Sequence, residues 1–253
     1  MAALSYDSAA VLKEFANRKG ITYPLLSDPE SKVIRAFGIL NEQFQPGQIP
    51  FGVPYPGTYI VDERGIVRGK FFESEYTERY TAASILVHHF GAGGAEKTEV
   101  ETRHLKLTSS ASDGTVWPGS RITLILDLEL KPGMHVYAPG VQGGYIPIDW
   151  RIAESRSWRA LPAAYPESTM LNLPVIRETV PVYKDKLHLT RDVIVAQQVD
   201  PAELIVEGAF RYQACDDKEC YPPQTIPLKW RLKVEKLDRQ RAPAELQRTV
   251  SPR

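Results

Sequence analysis

In several segments between residues 120 and 234 the apolar side chains of this chain recur at every second position, and a period of two restricts such segments to half-buried β-strands. Ile122, Leu124, Leu126, Leu128 and Leu130 share one face, and Ile226, Leu228, Trp230, Leu232 and Val234 repeat the pattern further on. "HLKLTSS", "YIPIDWRI", "LHLTRDVIVA" and "LIVEGAFRYQA" supply more strands. This many short alternating segments predict an antiparallel β-sandwich over residues 101–236.

The first ninety residues follow a different period. "SAAVLKEFANRKG" places Val11, Leu12, Phe15 and Ala16 on one helical stripe, with Asp7 or Ser8 as cap and Gly20 as stop. "SDPESKVIRAFG" starts a second helix with Asp28 as N-cap and Pro29 at the first position. "GTYIVDERGIVRGKFFE" reads as a hairpin and "TERYTAASILVHHFG" as a closing helix. Alternating helices and strands predict a layered α/β unit over 1–92. The glycine-rich stretch that follows predicts a linker at 93–100, and the polar end predicts a disordered tail at 237–253.

A chain of 253 residues has room for two such domains. Its 31 basic residues balance 31 acidic ones, so no basic surface speaks for a nucleic-acid partner. No apolar run approaches the ~20 residues that span a bilayer, so the chain is not expected to cross a membrane. The opening "MAALSYDSAAVLKEF" lacks the pattern of a secretory signal, which implies either a cytoplasmic protein or a true start further upstream.

Both cysteines, Cys215 and Cys220, lie in "FRYQACDDKECYPPQTIPL" between two predicted strands. If residues 216–219 form a hairpin loop, the two thiols face each other at a separation a disulfide can bridge. Four readings fit. A structural staple across so short a loop contributes only about 2 kcal/mol. A zinc site needs four ligands, and His135 and His188 stand at no recognisable spacing. An inert buried pair is the third, and reversible thiol–disulfide exchange, favoured here, the fourth. Asp216, Asp217 and Glu219 outweigh Lys218, so the local charge disfavours a thiolate and suits a relay more than an attacking group. No metal or organic cofactor is implied.

In this stretch the sequence resembles the amino-terminal, immunoglobulin-like domain of the bacterial thiol–disulfide interchange proteins of the DsbD family. A tyrosine-containing strand, a close cysteine pair and an aromatic-Pro-Pro here filled by Tyr221, Pro222 and Pro223 occur in that order. "KPGMHVYAP" fits the family's Gly-x-His-x-Tyr stretch through Gly133, His135 and Tyr137, and "VPVYKDKLHL" resembles its segment near the cap loop. The resemblance implies that Cys215 and Cys220 are the redox pair, fed by a membrane-embedded donor and passing electrons to thioredoxin-fold partners outside the cytoplasm. It also implies an aromatic shield, for which Tyr137 and the segment Val180 to Tyr183 are the nearest candidates, with His135 and Tyr221 beside it. The cysteine spacing is one residue tighter than in the best-known members.

Residues 1–92 resemble a second family, the redoxins, or peroxiredoxin-like thioredoxin folds, through "YPLLSD" and "PGTYIVDERG". Pro56 matches their cis-proline. The catalytic cysteine of that family belongs after a strand that would precede residue 1, which reads as a truncated gene or fragment and predicts no peroxidase activity from this half. The fold expected is therefore an incomplete thioredoxin-like unit followed by an immunoglobulin-like antiparallel sandwich. The function expected is a redoxin-like thiol–disulfide oxidoreductase. A non-catalytic interaction module with a permanent disulfide is the alternative, and a parent peroxiredoxin whose sandwich acts as its reductant is a third reading.

Overall fold

The computed structural model describes residues 1–247 apart from 74, 76, 92, 174–176 and 201. They divide into two compact units, one made of Met1–Tyr76 with Asp238–Arg253, the other of Thr77–Leu237.

In the first unit β1 (Ala3–Ser5) and β2 (Leu25–Ser27) pair in parallel and are joined by α1 (Ala9–Lys19). Ser8 caps α1 by accepting from the Val11 N–H, and Gly20 ends it at φ 62°, a left-handed turn that glycine adopts without strain. α2 (Lys32–Ala36) is one turn only. Asp28 still serves its start, accepting from the N–H groups of Lys32 and Ile34 at 2.9 Å each. β3 (Gly57–Val61) and β4 (Val67–Phe72) form the expected hairpin, its turn held by Asp62 accepting from Arg64 and Ile66. Among the described residues no strand joins β1–β2 to β3–β4, so the unit is an incomplete thioredoxin-like fold.

Two expectations change here. No described peptide bond is cis, the one before Pro56 included. Pro56 instead extends the hairpin, its carbonyl accepting from the Glu73 N–H at 3.2 Å. The tail beyond 237 is not loose throughout. Asp238 accepts from Arg18 at 2.9 Å and also meets Lys19, and these cations hold its carboxyl down to about 2, Lys19 foremost. A polar composition indicates solvent exposure, but not that α1 offers a cationic end to receive it.

The second unit contains β5 (Arg79–Tyr80), α3 (Ala82–Phe90), β6 (Thr98–Glu101), β7 (Leu105–Ala111), β8 (Thr115–Val116), β9 (Ser120–Leu130), β10 (His135–Tyr137) and β11 (Asp149–Ile152). After these come β12 (Trp158–Ala164), β13 (Thr169–Leu173), β14 (Glu178–Lys184), β15 (Lys186–Val195), β16 (Glu203–Tyr212), β17 (Ala214–Cys215) and β18 (Gln224–Val234). One sheet runs β12-β15-β9-β7-β6, with β5 alongside β9, and a second runs β11-β16-β18-β8. Their inner faces make one core: Leu105 and Leu107, Ile122 to Leu128 at alternate positions, Leu189, Val206, Phe210 and the even-numbered apolar residues of β18. This is the β-sandwich that the period of two predicts, as expected from the resemblance to an immunoglobulin-like domain. Gly208 permits the close approach of β11 to β16 over Trp230, because a Cβ there would lie 2.6 Å from the Arg151 carbonyl oxygen.

The boundary lies earlier than the 92/93 expected, and the physical reason is α3. Ser84 is fully buried and its Oγ lies 2.7 Å from Thr123 Oγ1 on β9. One turn on, His88 Nε2 lies 2.8 Å from Asp192 Oδ1 on β15, an oxygen that also accepts from Thr123, while Arg121 donates to Oδ2 at 2.9 Å. The apolar stripe of the helix reveals that it buries one face, but these polar anchors decide that the face belongs to the sandwich. Most of the stretch expected as linker is likewise part of the sandwich: Thr98–Glu101 is an edge strand on β7, and the Ala95 N–H donates to Ala111.

Candidate functional site: a disulfide at the tip of the β16–β18 hairpin

β16 and β18 pair continuously from Glu203·Lys233 to Tyr212·Gln224. The next pairing is Cys215·Cys220, which leaves Gln213 and Ala214 on the outgoing arm against Tyr221, Pro222 and Pro223 on the return. That extra residue is a bulge, placed where two prolines without N–H groups cannot continue the ladder. The hairpin thereby leaves the main sheet at its tip. Beyond the bulge β17 joins β10 in a small sheet ordered β13-β14-β10-β17, with Cys215 opposite His135.

Cys215 and Cys220 are disulfide-bonded, with Cα atoms 4.0 Å apart, slightly closer than an ordinary hairpin pair. The two sulfurs differ in environment: Cys215 is 1% exposed, whereas Cys220 is an exposed residue. Asp216 builds the loop between them. Its Oδ1 accepts from the N–H groups of Lys218 and Glu219 at 2.7 and 2.9 Å, and its Oδ2 accepts from the Tyr221 hydroxyl at 2.8 Å. These bonds, the backbone ones foremost, hold its carboxyl down to about 2, so the turn carries a fixed negative charge.

Around the bridge the alternation of β10 and β14 sorts the candidate residues. Tyr137, Val180, Val182 and Cys215 form a small apolar cluster of their own, with Tyr145 and Val141 against it. The Tyr137 hydroxyl lies 3.6 Å from Cys220 Sγ, and its ring packs on Tyr145 at 4.5 Å between centroids. Burial pushes the Tyr137 phenol up. Tyr145 is pushed up to about 12 by its hydrogen bond to Glu178. His135 is buried edge-on to Tyr137, and its Nε2 is a buried nitrogen without a hydrogen-bond partner among the described residues. Burial, with Lys184 nearby, lowers its pKa.

Tyr183 departs from the role anticipated for it. As the neighbour of Val182 it points to the opposite side, joins the main core and donates to the Pro166 carbonyl at 2.9 Å. Tyr221 does flank the loop, stacked on His104 at 4.5 Å with Arg103 over its ring at 5.3 Å. The sequence reading did not pick out His104, Arg103, Tyr145 or Glu178. Asp216 entered it only as charge, although an Asp opening a four-residue loop is the usual signal of an Asx turn. His188, weighed as a zinc ligand, bonds Asp127 at 2.6 Å on the exposed side of β15. Among the described residues no three His, Cys, Asp or Glu side chains are grouped to hold a metal.

The hairpin tip of the sandwich thus presents one exposed and one buried cysteine joined in a single disulfide. Residues 104–229 match the family described as thiol:disulfide interchange protein DsbD, N-terminal, and residues 1–70 match the AhpC/TSA family. The chain thus joins a redoxin segment to a domain resembling the amino-terminal domain of the interchange protein. Alkyl hydroperoxide reductase E of Mycobacterium bovis is 38% identical over 68 residues, 26% of this chain and 40% of that protein, so the chain spans well under half of this relative. Among solved structures, the N-terminal periplasmic domain of ScsB from Proteus mirabilis is similar over 56% of this chain and 52% of that one, at 13% identity and a TM-score of 0.40. The N-terminal domain of DsbD from Neisseria meningitidis in the reduced form is similar over 44% and 77%, at 13% identity and a TM-score of 0.30. No helix among the described residues is long and apolar enough to cross a membrane.

Proposed function

We infer that the protein is a thiol–disulfide oxidoreductase whose Cys215–Cys220 pair relays electrons to a thioredoxin-fold partner. The observation that carries this reading is the asymmetry of the bridge: Cys220 is exposed at a hairpin tip while Cys215 is buried against Tyr137 and Val182. An incoming thiolate can reach one sulfur only. It bonds to Cys220 Sγ, the disulfide breaks, and the electron pair leaves on Cys215. In the opposite direction Cys220 attacks the partner's disulfide and Cys215 resolves the mixed bond.

The loop charge of Asp216, Asp217 and Glu219 opposes thiolate formation at Cys220, so the reduced pair exchanges slowly until a partner covers or neutralises that charge. The Tyr137 hydroxyl, 3.6 Å from Cys220 Sγ, is placed to hydrogen-bond a thiolate there. Residues 1–92 hold no cysteine, so thiol chemistry in this chain is confined to the tip. A membrane-embedded electron donor and a location outside the cytoplasm fit the same reading.

The test mixes each single-cysteine variant of the full chain, reduced, with an oxidised thioredoxin-fold protein that keeps both of its cysteines, whose disulfide supplies the bond to be exchanged. Cys215→Ser should accumulate a mixed disulfide through Cys220, and Cys220→Ser should form little. If neither variant is captured, the relay reading is wrong and a permanent bridge in a binding module remains.

A further inference from the structure

Reduction of this bridge creates a negative charge in a place that water does not reach. The leaving sulfur, Cys215, is 1% exposed, and a thiolate there is unstable without a proton or a partner. His135 stands directly opposite Cys215 in the β10–β17 ladder. Residues opposite each other in an antiparallel pair have Cβ atoms about 4.5–5.5 Å apart on the same face. The neighbouring pair confirms which face this is: Val136 and Ala214 both enter the main core, so His135 and Cys215 both turn to the other side, where Tyr137 meets His135 edge to face at 5.6 Å between ring centroids.

His135 is 3% exposed, yet among the described residues its Nε2 has no hydrogen-bond partner. A buried polar nitrogen left unpaired costs stability, and a redox role is one of the reasons a native fold retains one. We propose that His135 is the proton acceptor for the buried half of the redox pair, taking up a proton as the Cys215 thiolate forms and sharing it with that sulfur in the reduced protein. The proposal rests on the exchange reading above. The balance is one incoming thiolate, one disulfide and one proton from water giving a mixed disulfide at Cys220 and one proton held between Cys215 and His135.

The groups that face His135 set the direction of the coupling. Lys184, its register partner on β14, opposes protonation, and Asp216 and Asp217 of the tip favour it. In the oxidised state burial, with Lys184, outweighs the two carboxylates and favours the neutral ring. A unit negative charge at the opposite residue reverses that balance, so imidazole and thiol titrate as a coupled pair.

The experiment is an NMR titration of the His135 ring in the full chain, oxidised and then reduced with an excess of a phosphine, which opens the bridge whether or not a protein partner can. The expected result is an upward shift of the His135 pKa on reduction, absent from the other histidines. As a second readout, His135→Gln and His135→Phe should shift the exchange equilibrium with a reference dithiol about tenfold toward the disulfide, about 30 mV for this two-electron couple, and should flatten its pH profile near neutrality. Identical His135 titrations in both states, or a His135→Gln profile that overlays the parent, would overturn the assignment. Failure of the relay reading looks different, as absence of exchange with thioredoxin-fold proteins while the phosphine-reduced titration still reports on His135.

Discussion

Opening the Cys215–Cys220 bridge should leave the sandwich folded. The bond closes a loop spanning only residues 215–220. Constraining so short a loop in the unfolded chain gives about 2 kcal/mol, which for a domain of this size is a drop of roughly 4–8 °C in Tm. The bridge also lies outside the main core: the two large sheets bury Leu105, Leu107, Ile122, Leu124, Leu126, Phe210 and Trp230 without it. The assay is thermal unfolding of the full chain followed by circular dichroism, with and without a phosphine, near-ultraviolet signals reporting Trp150 and Trp230, whose rings lie 6.1 Å apart in the core. A small shift with the near-ultraviolet spectrum retained is predicted. Loss of that spectrum on reduction at 25 °C would show that the bond is a staple the fold requires, and a carrier that unfolds whenever it is reduced is no carrier.

Three further outcomes follow from the geometry. Asp192→Ala strips Arg121, His88 and Thr123 of a shared, nearly buried carboxylate, and should cost about 3 kcal/mol, measured by urea denaturation, with α3 becoming the first segment to exchange its amide hydrogens. Burial lowers the pKa of His104 in the folded state, and Arg103 adds to the effect. The folded protein therefore binds fewer protons there than the unfolded chain, so stability should fall as pH drops through and below 6.5, and His104→Gln should flatten that slope in denaturation series at several pH values. Tyr137→Phe should leave the fold intact but slow exchange at Cys220 several-fold in stopped-flow mixing with a thioredoxin-fold protein, because it removes a hydroxyl 3.6 Å from Cys220 Sγ. An unchanged rate would remove Tyr137 from the chemistry.

Much of the sandwich was readable because alternation is a local property: Ile122 to Leu130 and Ile226 to Val234 declare their buried face without reference to any partner. The cysteine pair was readable for the same reason, since two strands and a short loop bring it together. What could not be read depends on which distant element answers a given residue. α3 carries an ordinary amphipathic stripe, and it is distant partners, Thr123 for Ser84 and Asp192, 104 residues beyond His88, that assign it to the sandwich. Tyr183 and Tyr137 are both tyrosines of the small sheet, and the side each faces follows from register, Val136 opposite Tyr183 and Tyr137 opposite Val182, which composition does not carry. Pro56 matches the cis-proline of the redoxins in sequence, yet its isomer depends on what packs against it, and here it is trans and extends the β3–β4 ladder.

The account as a whole turns on whether the bridge opens under conditions a cell provides, and an equilibrium redox titration of the full chain in glutathione buffers, read by alkylation and mass, tests that most directly. It predicts a midpoint between about −270 and −120 mV, the span of proteins that exchange disulfides. A midpoint below about −300 mV, where structural bonds lie, would contradict it.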